Sequence, residues 1–198
     1  DFLKRHVKPA SGYVSLGGAE ISGITVHEVR QHIIVLDRPN AIEMTIREFL
    51  DLSGEGQSPQ RILEVLRIVG LETTIAQLSD GLNTRIAATG WPLTITETMQ
   101  LKLASAIIAD PVVLVLGQLY DSMPDDALKR SFDALQEDGE TTILYFSSRP
   151  RDLGFDSYLY LGHTEQRLFD TFDELCSHGG GAACESQPLL RSGLQPAG

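Results

Sequence analysis

Ala104-Ser-Ala-Ile-Ile-Ala-Asp-Pro111-Val-Val-Leu-Val-Leu116-Gly-Gln118 is the stretch that decides the fold. Met99, Leu103, Ala106 and Ile107 recur at helical spacing, which predicts a helix over Thr96–Ile108. Asp110-Pro111 ends it, because proline cannot continue a helix and restricts the residue before it. The run that follows, Val112 to Leu116, has no polar residue to alternate with. A strand of that kind is buried on both faces, the condition of a central strand in a parallel sheet.

The same alternation extends outward in both directions. Downstream, Asp125–Gln136 reads as a helix, Thr141–Phe146 as a second apolar strand, and Tyr158–Leu161 with Arg167–Phe169 as a closing hairpin. Upstream, Asp1–Val7 has a short helical pattern without a cap, Lys8–Gly12 is a turn, Tyr13–Leu16 a strand and Gly17-Gly18 another turn. His32–Leu36 is a strand bounded by Asp37-Arg-Pro39. Thr45 can cap a helix over Ile46–Leu52. Ser58 and Pro59 make an N-cap and first-turn pair for a helix through Val69, with Ile62, Leu66 and Val69 on one face. The expectation is an α/β domain over residues 1–178 with a mostly parallel sheet of His32–Leu36, Val112–Leu116, Thr141–Phe146 and Tyr158–Leu161. A helical subdomain falls at about 45–93. From Gly179 the composition turns to Gly, Ala, Ser, Pro and Gln, so residues 179–198 read as a flexible tail.

Bulk composition narrows the function classes. A chain of 198 residues can bury roughly 70% of its unfolded surface and needs no staples. Its formal charge of -11, with no basic stripe, repels nucleic acid. No apolar run approaches the ~18 residues of a membrane span, so any link to a membrane comes through a partner. Cys176 and Cys184 suggest no disulfide framework, and a reducing cytosolic setting is the simpler reading. With His178 they lack the spacing and fourth ligand of a zinc motif.

The order of the pieces resembles the nucleotide-binding domain of ATP-binding-cassette (ABC) transporters, most closely the exporter type. Lys8-Pro-Ala-Ser-Gly-Tyr-Val-Ser-Leu-Gly-Gly18, Met44-Thr-Ile-Arg-Glu-Phe49, Leu78-Ser-Asp-Gly-Leu-Asn-Thr-Arg85, Gly90-Trp-Pro-Leu93 and Ala104-Ser-Ala-Ile-Ile-Ala-Asp-Pro111 carry the resemblance, in the family's order. It implies a P-loop NTPase-like, mostly parallel sheet core with an antiparallel β portion and a helical subdomain.

The family's chemistry positions have changed. No Gly-x-x-x-x-Gly-Lys-Ser/Thr phosphate loop occurs in the chain. The strand matching Walker B closes on Gly117-Gln118, where the family has an Asp for magnesium and a Glu that polarises water. Glycine offers no ligand, and Gln118 keeps the size of glutamate without its charge. The signature Leu-Ser-Gly-Gly-Gln reads Leu93-Thr-Ile-Thr-Glu97. Thr94 keeps a hydroxyl, Ile95 narrows the approach, Thr96 reads as the N-cap of the next helix, and Glu97 adds negative charge where a phosphate would sit. Asp37 stands at the Q-loop glutamine, and Ser148, after Ser147, at the switch histidine. Asp121-Ser-Met-Pro124 replaces the D-loop.

What the resemblance implies is a catalytically degenerate nucleotide-binding domain with a coupling, regulatory or scaffolding role. It would work with a transmembrane domain, on the same polypeptide or a separate subunit, at the cytoplasmic face of a membrane, with a second nucleotide-binding domain as pairing partner. No cofactor or metal is expected for this chain, and ATP with magnesium only if a phosphate loop lies upstream. A working ATPase with atypical motifs and a free-standing interaction module are the competing readings.

Overall fold

The computed structural model describes residues 11–16, 18–54, 56–137, 141–162 and 165–178. They fall into two compact units, one through Ser148 and one from Arg149, where the sequence predicts a single domain to residue 178. The helix expected at Asp1–Val7, the start of the following turn, Gly17, and the tail 179–198 lie outside the described residues.

In the first unit a hairpin of β1 (Ser15–Leu16) and β2 (Ala19–Glu20) precedes helix α1 (Val26–His32) and strand β3 (Ile33–Leu36). A second short antiparallel pair, β4 (Met44–Thr45) and β5 (Arg85–Ile86), brackets α2 (Ile46–Asp51), α3 (Pro59–Val69) and α4 (Glu72–Gln77). Then follow α5 (Ile95–Ala109), β6 (Val113–Leu116), α6 (Asp125–Leu135) and β7 (Thr142–Tyr145). The second unit holds β8 (Tyr158–Leu161), β9 (Gln166–Phe169) and α7 (Phe172–His178).

Strands β3, β6 and β7 form a parallel sheet in that order, with Leu114 in register with Ile34 on one side and Ile143 on the other. All four residues of β6 are buried, as a doubly covered strand requires. The closing hairpin forms as predicted, with Tyr158–Leu161 antiparallel to Gln166–Phe169. One expectation is corrected: Tyr158–Leu161 is not a strand of the parallel sheet. The strand expected at Thr141–Phe146 lies at the sheet edge, with Thr142 and Leu144 exposed. With Thr142 and Tyr145 at its ends, β7 is less apolar than the Val-Leu-Val-Leu of β6, in keeping with a strand paired on one side only among the described residues.

Helix α1 is absent from the sequence expectation, which runs a strand from His32. Its start is written in the chain as a capping box. Thr25 Oγ1 accepts from the Glu28 amide at 3.2 Å, and Glu28 Oε2 accepts from the Thr25 amide at 2.9 Å. Ile21, Val29, Ile33, Val113 and Val115 bury together here, with Val14, Leu16, Ile24 and Val35 against them. Thr45 and Ser58 cap α2 and α3 as the sequence predicts.

Helix α5 is buried nearly all round, with Met99, Leu101, Leu103, Ala104, Ala106 and Ile107 covered. Three side-chain bonds fix its surroundings. Gln100 Nε2 donates to the Val69 carbonyl at 2.7 Å, closing the end of α3 where Gly70 turns left-handed. Lys102 Nζ donates to the carbonyls of Arg38 (2.6 Å) and Asn40 (3.1 Å), holding the chain after β3. Tyr120, fully buried, donates its hydroxyl to the Met99 carbonyl at 3.0 Å and fixes the turn after β6.

In the second unit His178 donates Nε2–H to Glu165 at 3.0 Å and accepts from Arg167 at 3.3 Å, with its ring against Phe169 and Tyr160. Cys176 lies in α7, and Cys184 lies outside the described residues.

Candidate functional site

Parallel sheets place their reactive groups beyond the carboxyl ends of the strands, where loops of fixed origin converge. In this sheet those ends deliver Asp37 after β3, Gly117-Gln118 after β6, and Ser147-Ser148 after β7. Asp37 and Gly117 are neighbours: the Gly117 amide donates to the Leu36 carbonyl at 3.0 Å, and a Cβ on Gly117 would stand 3.4 Å from Asp37 Cα. Gln118 opens the short 3-10 turn Gln118–Ser122 and is exposed.

The same turn carries Asp121, which the sequence marked only as part of a replaced D-loop. Asp121 Oδ1 accepts from Tyr145 Oη at 2.5 Å and Ser147 Oγ at 2.7 Å. Asp121 Oδ2 accepts from the Ser148 amide at 2.9 Å and Ser148 Oγ at 2.7 Å. Partial burial pushes this carboxyl's pKa up, but the bonds from Tyr145, Ser147 and Ser148 outweigh it and hold the pKa below the ordinary aspartate range. Both donors of Ser148, its amide and its hydroxyl, are spent on this contact. Nothing in the residue types announced the pairing, since 27 positions separate the partners.

The signature-position residues form a different structure. Thr94, rather than the expected Thr96, is the N-cap of α5; its Oγ1 accepts from the Glu97 amide at 3.2 Å and its amide donates to Glu97 Oε2 at 2.8 Å. The helix therefore starts one residue earlier than predicted. The reason is the Thr94-x-x-Glu97 box, which satisfies two orphan amides reciprocally, where Thr96 has only Met99 three residues on. Glu97 Oε1 also accepts from Thr74 at 2.9 Å. Burial raises the pKa of Glu97, while the bonds from Thr94 and Thr74 lower it further. Ile95 is exposed, and Thr96 touches Ser122 only at 3.4 Å. The structure thus brings Asp37, Gly117, Gln118 and Ser148 to one end of the sheet. Thr94 and Glu97 are bound into a helix cap instead.

No protein-family model matches the sequence. A solved bacterial Atm1-family ABC exporter with ATP bound superposes with a TM-score of 0.75 over 90% of this chain and 32% of its own, at 17% identity. The chain shares the fold of one part of an ABC exporter. Its curated relatives carry the same description at low identity. ABC transporter B family member 3 of Dictyostelium discoideum is 26% identical over 90% of the chain and 13% of its own length. The multidrug resistance ABC transporter ATP-binding and permease protein of Lactococcus lactis is 26% identical over 72% of the chain and 25% of its own. The mesentericin-Y105 transport/processing ATP-binding protein MesD of Leuconostoc mesenteroides is 28% identical over 74% and 20%. The chain therefore spans a quarter or less of the length of these ABC relatives.

Proposed function

We propose that the chain is an ABC nucleotide-binding domain whose catalytic positions have been given up, and that it couples to or scaffolds a transmembrane domain. The observation that carries this reading is the end of β6. The central strand of the sheet delivers Gly117-Gln118 to the place where magnesium and water would need two carboxylates. A general base contributes about 10²- to 10⁴-fold, and only on a nucleotide already held and oriented. At that end of the sheet Ser148 is engaged by Asp121, and away from it the signature-position Thr94 and Glu97 form the α5 cap.

A transmembrane partner is supported by relatives whose names join ATP-binding and permease functions. Among the described residues no helix is long and apolar enough to cross a membrane, so such a partner would be another part of the polypeptide or another subunit, with the chain at the cytoplasmic face. A second nucleotide-binding domain is the pairing partner the reading calls for.

The test is calorimetric titration of Mg-ATP into the chain and into the longest polypeptide its gene encodes. The degenerate reading expects no magnesium-dependent turnover in either. Saturable binding with turnover in the longer polypeptide would replace it with a working ATPase whose phosphate loop lies upstream.

A further inference from the structure

Four donors from one short segment meet a single carboxylate in the first unit: the hydroxyls of Tyr145, Ser147 and Ser148, and the Ser148 amide. Three hydroxyls and a backbone N–H that divide between the two oxygens of one carboxylate supply the donor chemistry of an oxyanion site. The acceptor is delivered from a separate loop, the turn after β6, which Tyr120 anchors to the Met99 carbonyl. Donors and acceptor thus belong to different strand ends.

We infer that Tyr145, Ser147 and Ser148 build an oxyanion cradle that the chain fills with its own Asp121, an autoinhibitory contact that keeps tetrahedral oxyanions such as phosphate from the end of the parallel sheet. The inference deepens the proposed reading, on which it rests for the meaning of the Ser148 position; the cradle itself stands on the geometry. A tethered carboxylate competes as an intramolecular ligand, and its charge repels an incoming anion within a chain of net charge -11. Removing that carboxylate leaves the donors in place and the competitor gone.

Inorganic phosphate is the probe, titrated into the wild-type chain, Asp121→Ala and Asp121→Ala/Ser148→Ala, and followed by the amide NMR signals of Ser147 and Ser148. The wild type is expected to show no saturable shift up to about 10 mM phosphate. Asp121→Ala is expected to bind at least about tenfold more tightly, the equivalent of one charge-assisted hydrogen bond, and the double variant to lose that gain. Equal responses in wild type and Asp121→Ala overturn the cradle. A gain that survives in the double variant also overturns it, by placing phosphate elsewhere. Should Asp121→Ala not fold, Asp121→Asn keeps the shape, and hydrogen exchange of the Ser148 amide is expected to quicken by about tenfold; an unchanged rate overturns the contact. Mg-ATP forms a separate arm: ATP turnover defeats the degenerate reading and leaves the phosphate comparison to decide the cradle.

Discussion

Asp121 holds Ser148 twice through one carboxylate oxygen, taking its backbone amide at 2.9 Å and its hydroxyl at 2.7 Å. Two bonds to the same residue fix both the side-chain rotamer and the backbone at the end of β7. The turn after β6 and the segment after β7 are thereby tied together, and charge-assisted bonds of this kind are about twice as strong as neutral ones.

The contact depends on ionisation, which makes stability pH-dependent on the acid side. Because the folded pKa of Asp121 lies below the ordinary value of 3.8, its contribution is present above that value and is lost as pH falls through the folded pKa. Asp121→Asn is expected to lower the melting temperature at pH 7, with the gap to wild type narrowing once pH drops below the ordinary value. Thermal melts across that range decide it; a gap that is constant from pH 7 to strong acid would show that ionisation of Asp121 does not contribute.

The start of α5 offers a two-variant comparison. Thr94→Ala removes a cap and is expected to cost about 1 kcal/mol, or about 2–4 °C in melting temperature for a domain of this size. Thr96→Ala, inside the helix, is expected to change stability by less than half of that. Equal losses at the two positions would contradict the cap assignment.

Tyr120→Phe deletes one buried hydroxyl and leaves the ring in place. The expected cost is about 1 kcal/mol for the lost bond to the Met99 carbonyl, read by denaturant unfolding at unchanged slope. A neutral result would mean that the hydroxyl contributes nothing net to holding the turn after β6.

Gln118→Glu restores one charge and nothing that would hold a nucleotide for it to act upon. No magnesium-dependent ATP hydrolysis above the wild-type chain is expected in a phosphate-release assay. Turnover in this single variant would return the end of β6 to catalysis.

Local signals carried much of the fold. The helix ending at Asp110-Pro111, the caps at Thr45 and Ser58, and the buried strand at Val113–Leu116 are all written in adjacent residues. What escaped was non-local. The edge placement of Thr142–Tyr145 and the separation of Tyr158–Leu161 from the parallel sheet depend on which strands sit beside them. Helix α1 is the local exception: its Thr25/Glu28 box lies in adjacent residues, and the strand reading from His32 passes over it. For the site, the resemblance to the ABC domain marked Asp37, Gly117, Gln118 and Ser148 along the chain, and in the fold they follow the carboxyl ends of β3, β6 and β7. The role of Asp121 was hidden because a carboxylate shows its partners only after the chain has folded.

Gly117 has ordinary extended backbone, with φ -90° and ψ 174°, and the atoms nearest to a Cβ placed on it are 3.4 to 3.6 Å away. A Cβ could therefore be added there at ordinary contact distances. Glycine at this position is thus not imposed by the local backbone: aspartate could be placed here by substitution alone, with the exposed Asp37 as the neighbour whose charge it would have to tolerate.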